Sequence, residues 1–122
     1  MDSSAILTVL QGEVGAHKVG SLLGGALLST VNLTETHAKT ILNGVPAGRA
    51  WSLISALRCE VCPFTAEQAR IAAELVSVTK PFGLSLGDRA CLALAIERKA
   101  TVYTTDRIWK SLNLGIEIEV IR

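Results

Sequence analysis

Aromatic residues are scarce in this chain. They make up 4% of its 122 residues: two tryptophans, two phenylalanines and one tyrosine. Platforms for single-stranded bases use several exposed rings, so that mode of binding is not expected. Long apolar runs are also missing. None reaches the ~18 residues of a membrane-crossing helix, and no basic stretch leads into an apolar one at the N-terminus. Neither a membrane nor a secretory signal is expected, and the cytoplasm is the default. Cysteines number three, Cys59, Cys62 and Cys91. An odd number without a secretion signal reads as reduced thiols. Strong charge of one sign is absent too, at a formal net charge of +1. Proteins that coat nucleic acid are usually more basic. An RNA substrate stays compatible with near-neutrality, because clustered acids would offset basic residues elsewhere.

What is present is enough apolar residue for a core, 49% of the chain. The length suits one domain spanning 1–122. Ser4–Leu10 has helical spacing, and a second short helix is expected around Ala16–Leu23. Gly24-Gly25 breaks the chain. Ala26–Val31 reads as a buried strand. Asn32 and Glu35 resemble a capping box opening a helix to about Leu42. A helix from Pro46 to about Leu57 precedes a short strand in Arg58–Phe64. Thr65 and Gln68 form a clean capping box before a helix to about Val78. After the loop Lys80–Gly83, a helix is expected over Ser85–Arg98, apolar all round at Ala90–Ile96 and therefore central. Thr101–Thr104 reads as a strand, Asp106–Leu112 as a short helix and Ile116–Ile121 as a last strand. Strands alternating with helices imply an α/β fold with a mainly parallel sheet covered on both faces.

Four acids share one kind of position. Asp2, Glu35, Asp88 and Asp106 each lie at or just after a helix start. Taken singly, capping explains each of them, because carboxylates favour helix N-termini. Taken together, they converge. Parallel strands place their carboxyl ends on one edge, where ligands bind. Carboxylates gathered there raise one another's pKa and destabilise the fold, and divalent cations remove that cost. Two ions ~3.5–4 Å apart suit an in-line phosphoryl displacement. Mg²⁺ needs only one or two carboxylates.

At these residues the chain resembles the PIN-domain ribonucleases, and within them the small VapC-type toxins of bacterial toxin–antitoxin pairs. The resemblance spans nearly the whole chain. It is carried by Asp2-Ser3-Ser4-Ala5, Asn32-Leu33-Thr34-Glu35, the run Leu84–Ala93 around Asp88, and Thr104-Thr105-Asp106-Arg107-Ile108-Trp109. The last two segments are the specific ones. The resemblance implies a PIN-like three-layer sandwich and metal-dependent endonucleolytic cleavage of RNA with Mg²⁺, or Mn²⁺, as cofactor. It implies Asp2 and Asp88 as main metal ligands, completed by Glu35 and Asp106, with the hydroxyls of Ser4 and Thr104 in support. It also implies a cognate antitoxin and a homodimer.

The chain departs from the family at its start. The family places a strand of about five residues before the first aspartate, in the middle of the sheet, and here only Met1 precedes Asp2. A sheet without its central strand leaves ladder groups unpaired on both neighbours. Either the true start lies upstream, or the fold tolerates the loss with another segment filling in. The cost of buried, unsatisfied backbone favours the first.

Other residues have plainer readings. Cys59 and Cys62 form a CxxC, but zinc needs about four ligands, so they read as structural thiols. His17 and His37 read as surface residues. Arg89, Arg107 and Lys110 flank the acidic motifs, either as solvated helix faces or as contacts to RNA phosphates. Trp109 reads as core. Trp51 reads as core or as an interface anchor, and the resemblance places the dimer contact and antitoxin groove in its region. Two rivals to the toxin reading stay open: a PIN nuclease of RNA maturation, and an inactive PIN-like module that binds a partner, favoured by a poorly held Asp2.

Overall fold

The computed structural model describes residues 1–122. Its strands are short and all its pairings are parallel. Strand β1, Leu27–Ser29, pairs with β2, Glu60–Cys62, and β3, Val102–Thr104, pairs with β4, Ile118–Val120. Seven helices surround them: α1 Ser3–Leu10, α2 Ala16–Leu22, α3 Thr30–Leu42, α4 Ala47–Ser55, α5 Ala66–Glu74, α6 Val76–Thr79 and α7 Leu86–Arg98. A 3-10 turn, Arg107–Ser111, stands where a short α-helix is expected. No helix is long and apolar enough to cross a membrane.

The α/β reading holds, with local corrections. The first strand ends at Ser29, not Val31. Thr30 and Val31 have β-branched side chains, but Ser29 accepts a hydrogen bond from the Val31 amide and caps α3 at that point. Asn32 is therefore inside the helix, and the capping box read from Asn32 and Glu35 is not formed. Of the Thr65–Gln68 capping box only the Thr65 half forms, accepting from the Gln68 amide at 3.2 Å, because the Gln68 side chain donates to Glu97 at 2.9 Å instead. The helix it opens breaks at Leu75 into α5 and α6.

Alternation along β3 shows how the layers are arranged. Val102 packs into one apolar cluster with Leu92, Ala95 and Trp109, all from the α7 side. Tyr103 packs against the other, with Ile6, Val19 and Leu28. Successive strand residues point to opposite faces, so α1 and α2 cover one face while α7 covers the other. Trp109 and Leu92 are fully buried. Burying a large apolar side chain is worth about 1.5–3 kcal/mol, so these two residues contribute much of what holds the α7 face.

The two strand pairs do not form one sheet. Met1 and Asp2 join them. The Met1 amine donates to the Leu27 carbonyl at 3.0 Å, and the Asp2 amide donates to the Tyr103 carbonyl at 2.9 Å. Met1 and Asp2 thus link the two pairs by one hydrogen bond to each. No other segment fills the space between β1 and β3. Beyond Met1 that space is an apolar slot of about 360 Å³, lined by Met1, Leu27, Cys91, Leu94, Ala100 and Tyr103 among others.

Candidate active site

Asp2 stands on this bridge, immediately before α1. Its backbone is extended, as an N-cap requires, but its side chain makes no capping bond. Instead Oδ2 accepts from the Ser4 hydroxyl at 2.6 Å and from the Thr104 hydroxyl at 2.8 Å. Both hydroxyls are fixed in turn: the Thr105 amide donates to Ser4 Oγ at 3.1 Å and the Asp106 amide to Thr104 Oγ1 at 3.1 Å. The start of α1 and the end of β3 are thereby tied through one carboxylate. Asp2 is only 3% exposed, and its Oδ1 is buried without a protein partner. Such an oxygen is costly unless something supplies positive charge to it.

Glu35 lies on α3 and is half-buried. Asn32, one turn before it, is fully buried. Its Nδ2 donates to Glu35 Oε1 at 2.9 Å and to the Gly87 carbonyl at 3.0 Å. The same amide thus joins α3 to the first turn of α7, where Asp88 sits. The sequence motifs include Asn32 as a helix cap and Gly87 within the run around Asp88, but assign neither to the site. The usable signal was an Asn three residues before an acid on one helix, a spacing that brings side chains together.

Asp88 and Asp106 do act as helix-start groups. Ser85 and Asp88 form a capping box, with Asp88 Oδ2 accepting from the Ser85 amide at 2.8 Å. Asp106 Oδ1 accepts from the Ile108 amide at 3.1 Å, and this residue is exposed. The capping account therefore holds for these two and fails for Asp2 and Glu35. Burial raises the pKa of Asp88 above the ordinary aspartate value, the Ser85 hydrogen bonds oppose that, and the charges of Asp2 and Glu35 raise it further. Asp2, Glu35 and Asp88 thus share one electrostatic field.

No salt bridge reaches these acids. The ion pairs are Lys18–Glu119, Arg70–Glu67, Arg70–Glu74 and Arg122–Glu13, all away from these acids. As the side chains stand, no three acids close into a ligand set. The donors are all hard oxygens, one of them buried and orphaned. That chemistry fits Mg²⁺ or Mn²⁺ better than a soft-ligand metal.

The flanking residues divide. Arg89 donates to the Ala72 carbonyl at 3.0 Å, a bond that fastens α7 to α5. Arg107 and Lys110 are exposed. Trp109 is core, as expected, while Trp51 is 49% exposed on α4. His37 is half-buried rather than a surface residue, because its ring packs on Trp51 at 5.3 Å between centroids. The three cysteines are free, with Cys62 and Cys91 buried.

These acids stand near the carboxyl ends of parallel strands, the edge at which ligands bind in open α/β sheets. Residues 1–113 match the PIN domain family, and the chain belongs to it. Among curated proteins no relative matches by sequence. Solved structures do match in fold. One is a chain of the DNA-bound VapBC from Salmonella typhimurium, with TM-score 0.75, 19% identity, and coverage of 99% of this chain and 96% of that one. Another is from VapBC2 of Rickettsia felis bound to a promoter DNA fragment, with TM-score 0.72, 18% identity, and coverage of 95% and 92%. A third is from VapBC-5 of Mycobacterium tuberculosis, with TM-score 0.57, 20% identity, and coverage of 81% and 98%.

Proposed function

We propose that the chain is a single PIN domain acting as a metal-dependent endoribonuclease, the toxin of a toxin–antitoxin pair. The observation that carries the chemistry is the orphaned, buried Oδ1 of Asp2, in a field shared with Glu35 and Asp88 and without a salt bridge. Asp2 and Asp88 would hold the ion, with Glu35 and Asp106 completing the site. A bound Mg²⁺ or Mn²⁺ would supply an activated water and charge stabilisation at the leaving oxygen.

The chain's own residues have distinct tasks in this reading. Ser4 and Thr104 fix one oxygen of Asp2 and leave the other free to ligate. Asn32 orients Glu35 against α7. Asp88 and Asp106 each keep one oxygen on the backbone, which sets the direction of the other. Arg107 and Lys110 are available to RNA phosphates, whereas Arg89 is committed to Ala72.

The toxin reading rests on similarity of fold to chains of three VapBC complexes. In it, the exposed face around Trp51 receives the antitoxin or a second copy in a homodimer. The rival of an inactive partner-binding module draws its weight from the missing first strand and so a poorly held Asp2; the hydroxyls of Ser4 and Thr104 on Asp2 support the active reading. The test is Mg²⁺ titration with an RNA substrate, for this chain and for Asp88→Asn. Metal-dependent cleavage lost in Asp88→Asn is the expected result. RNA or partner binding without turnover would favour the inactive module.

A further inference from the structure

We propose that Leu86 and Ile108 are apolar rests for the two nucleobases that flank the cut phosphodiester. The inference deepens the nuclease reading above and rests on it.

Both side chains are large, aliphatic and open to solvent, at 57% and 47% exposure. Their neighbours explain why. Leu86 opens α7, and the next residue, Gly87, is buried against the Glu35 carboxylate. Ile108 lies in the 3-10 turn, and the next residue, Trp109, is fully buried. With the inner place taken by the following residue, each aliphatic is left outside. The acids also pin both backbones. Ser85 and Asp88 close a capping box around Leu86, and the Ile108 amide donates to Asp106 Oδ1 at 3.1 Å. Each side chain therefore stands on fixed backbone.

Single exposed aliphatics are ordinary on a protein surface. These two differ in their place. Leu86 stands two residues before Asp88, and Ile108 two residues after Asp106. Asp2 links the two elements. Its charge acts on Asp88, and its Oδ2 accepts from the Thr104 hydroxyl, which itself accepts from the Asp106 amide. A phosphodiester held at these acids brings both of its nucleosides within reach of residues two positions away. Unpaired bases have apolar faces, which an aliphatic side chain covers without reading the hydrogen-bonding edge. Tryptophan does not serve here, because Trp109 is core and Trp51 lies on α4. Arg107, exposed beside Ile108, complements a neighbouring phosphate. Such a site requires a base on each side of the cut and tolerates its identity, as contacts to base faces do.

The test compares the wild-type chain with Leu86→Ser and Ile108→Ser on a single-stranded RNA cleaved in Mg²⁺. Two further copies of that RNA lack the base on the 5′ or the 3′ side of the cut. Removing either base should raise the wild-type KM about fivefold, the lower end of what a base-face contact is worth. Each serine variant should show the same rise on intact RNA and lose its sensitivity to one of the abasic copies. Leu86→Met and Ile108→Val should restore that sensitivity. Equal sensitivity in variants and wild type overturns the proposal and leaves the nuclease reading standing. A second arm is independent of turnover. The methyl resonances of Leu86 and Ile108 are followed as the RNA is added with Ca²⁺ in place of Mg²⁺, and they should shift with intact RNA more than with the abasic copies. Equal shifts overturn the base contact. Base-dependent shifts without cleavage in Mg²⁺ keep the contact as a binding surface and overturn the nuclease reading. Neither shifts nor cleavage overturns both.

Discussion

Gly87 lies against the carboxylate of Glu35, so closely that a Cβ on Gly87 would overlap it. The residue before Asp88 must be glycine for Glu35 to rest where Asn32 holds it. Alanine is favoured over glycine within a helix by about 1 kcal/mol, which offsets part of the overlap. The flexible Glu35 side chain should move rather than the backbone. Gly87→Ala should therefore keep its thermal midpoint within a few degrees while RNA cleavage falls. A displacement of 1 Å near reacting groups can cost about 100-fold. Unchanged turnover in this variant would remove Glu35 from the site.

Asp88→Asn separates charge from shape. Burial, and then the charges of Asp2 and Glu35, hold the Asp88 pKa above the ordinary 3.8. A carboxyl whose folded-state pKa is raised contributes stability below its unfolded value and loses it as pH rises through the folded value. In chelator, the wild-type chain should thus lose stability relative to Asp88→Asn as pH climbs above about 4. Urea midpoints of the two proteins, measured across that range, check it. Mg²⁺ should recover the loss in the wild type at neutral pH, and do little for the variant. Midpoints that run parallel at every pH would show that Asp88 does not feel its neighbours.

Thr104→Val removes one donor from Asp2 and one acceptor from the Asp106 amide. Hydrogen bonds to charged groups are worth about 1.5–3 kcal/mol, and the loss should fall in that range by denaturant titration. Ser4→Ala should cost a similar amount. The double variant should cost less than the sum, because the two hydroxyls serve the same oxygen. Strict additivity would mean that they act on separate groups.

Trp51→Glu tests the exposed face. Trp51 is half-exposed and packs its ring at a tilt against His37, beside an apolar cavity of about 240 Å³ that includes Leu28, Leu33 and Ile54. A carboxylate there should weaken assembly, seen as a lower mass by light scattering, with no change in the chain's thermal midpoint. An unchanged assembly would place the interface elsewhere.

Much of this arrangement is legible in the residues themselves. Apolar residues all round Ala90–Ala95 mark α7 as central, and Thr65 and Ser85 mark helix starts that form as read. The boundary at Ser29 is not legible by propensity, since Thr30 and Val31 favour a strand and the cap overrides them. All four acids stand out in the sequence, but only contacts between distant segments distinguish their roles. The hydroxyls holding Asp2 come from residues 4 and 104, and the amide holding Glu35 also bonds Gly87. Arg89 reads as a solvated helix face or a phosphate contact from its place beside Asp88, and its bond to Ala72 is visible only in three dimensions.

The tie between Asp2 and Thr104 also orders events in time. The two residues are 102 positions apart, so the site belongs to the slowest contacts of folding, those that close the longest loops. On the ribosome, residues 1–100 can collapse around Ile6 and Leu92 while Asp2 still lacks one of its two donors. Synthesis adds about 5–20 residues each second, so the acids stand incomplete until the last part of the chain has emerged.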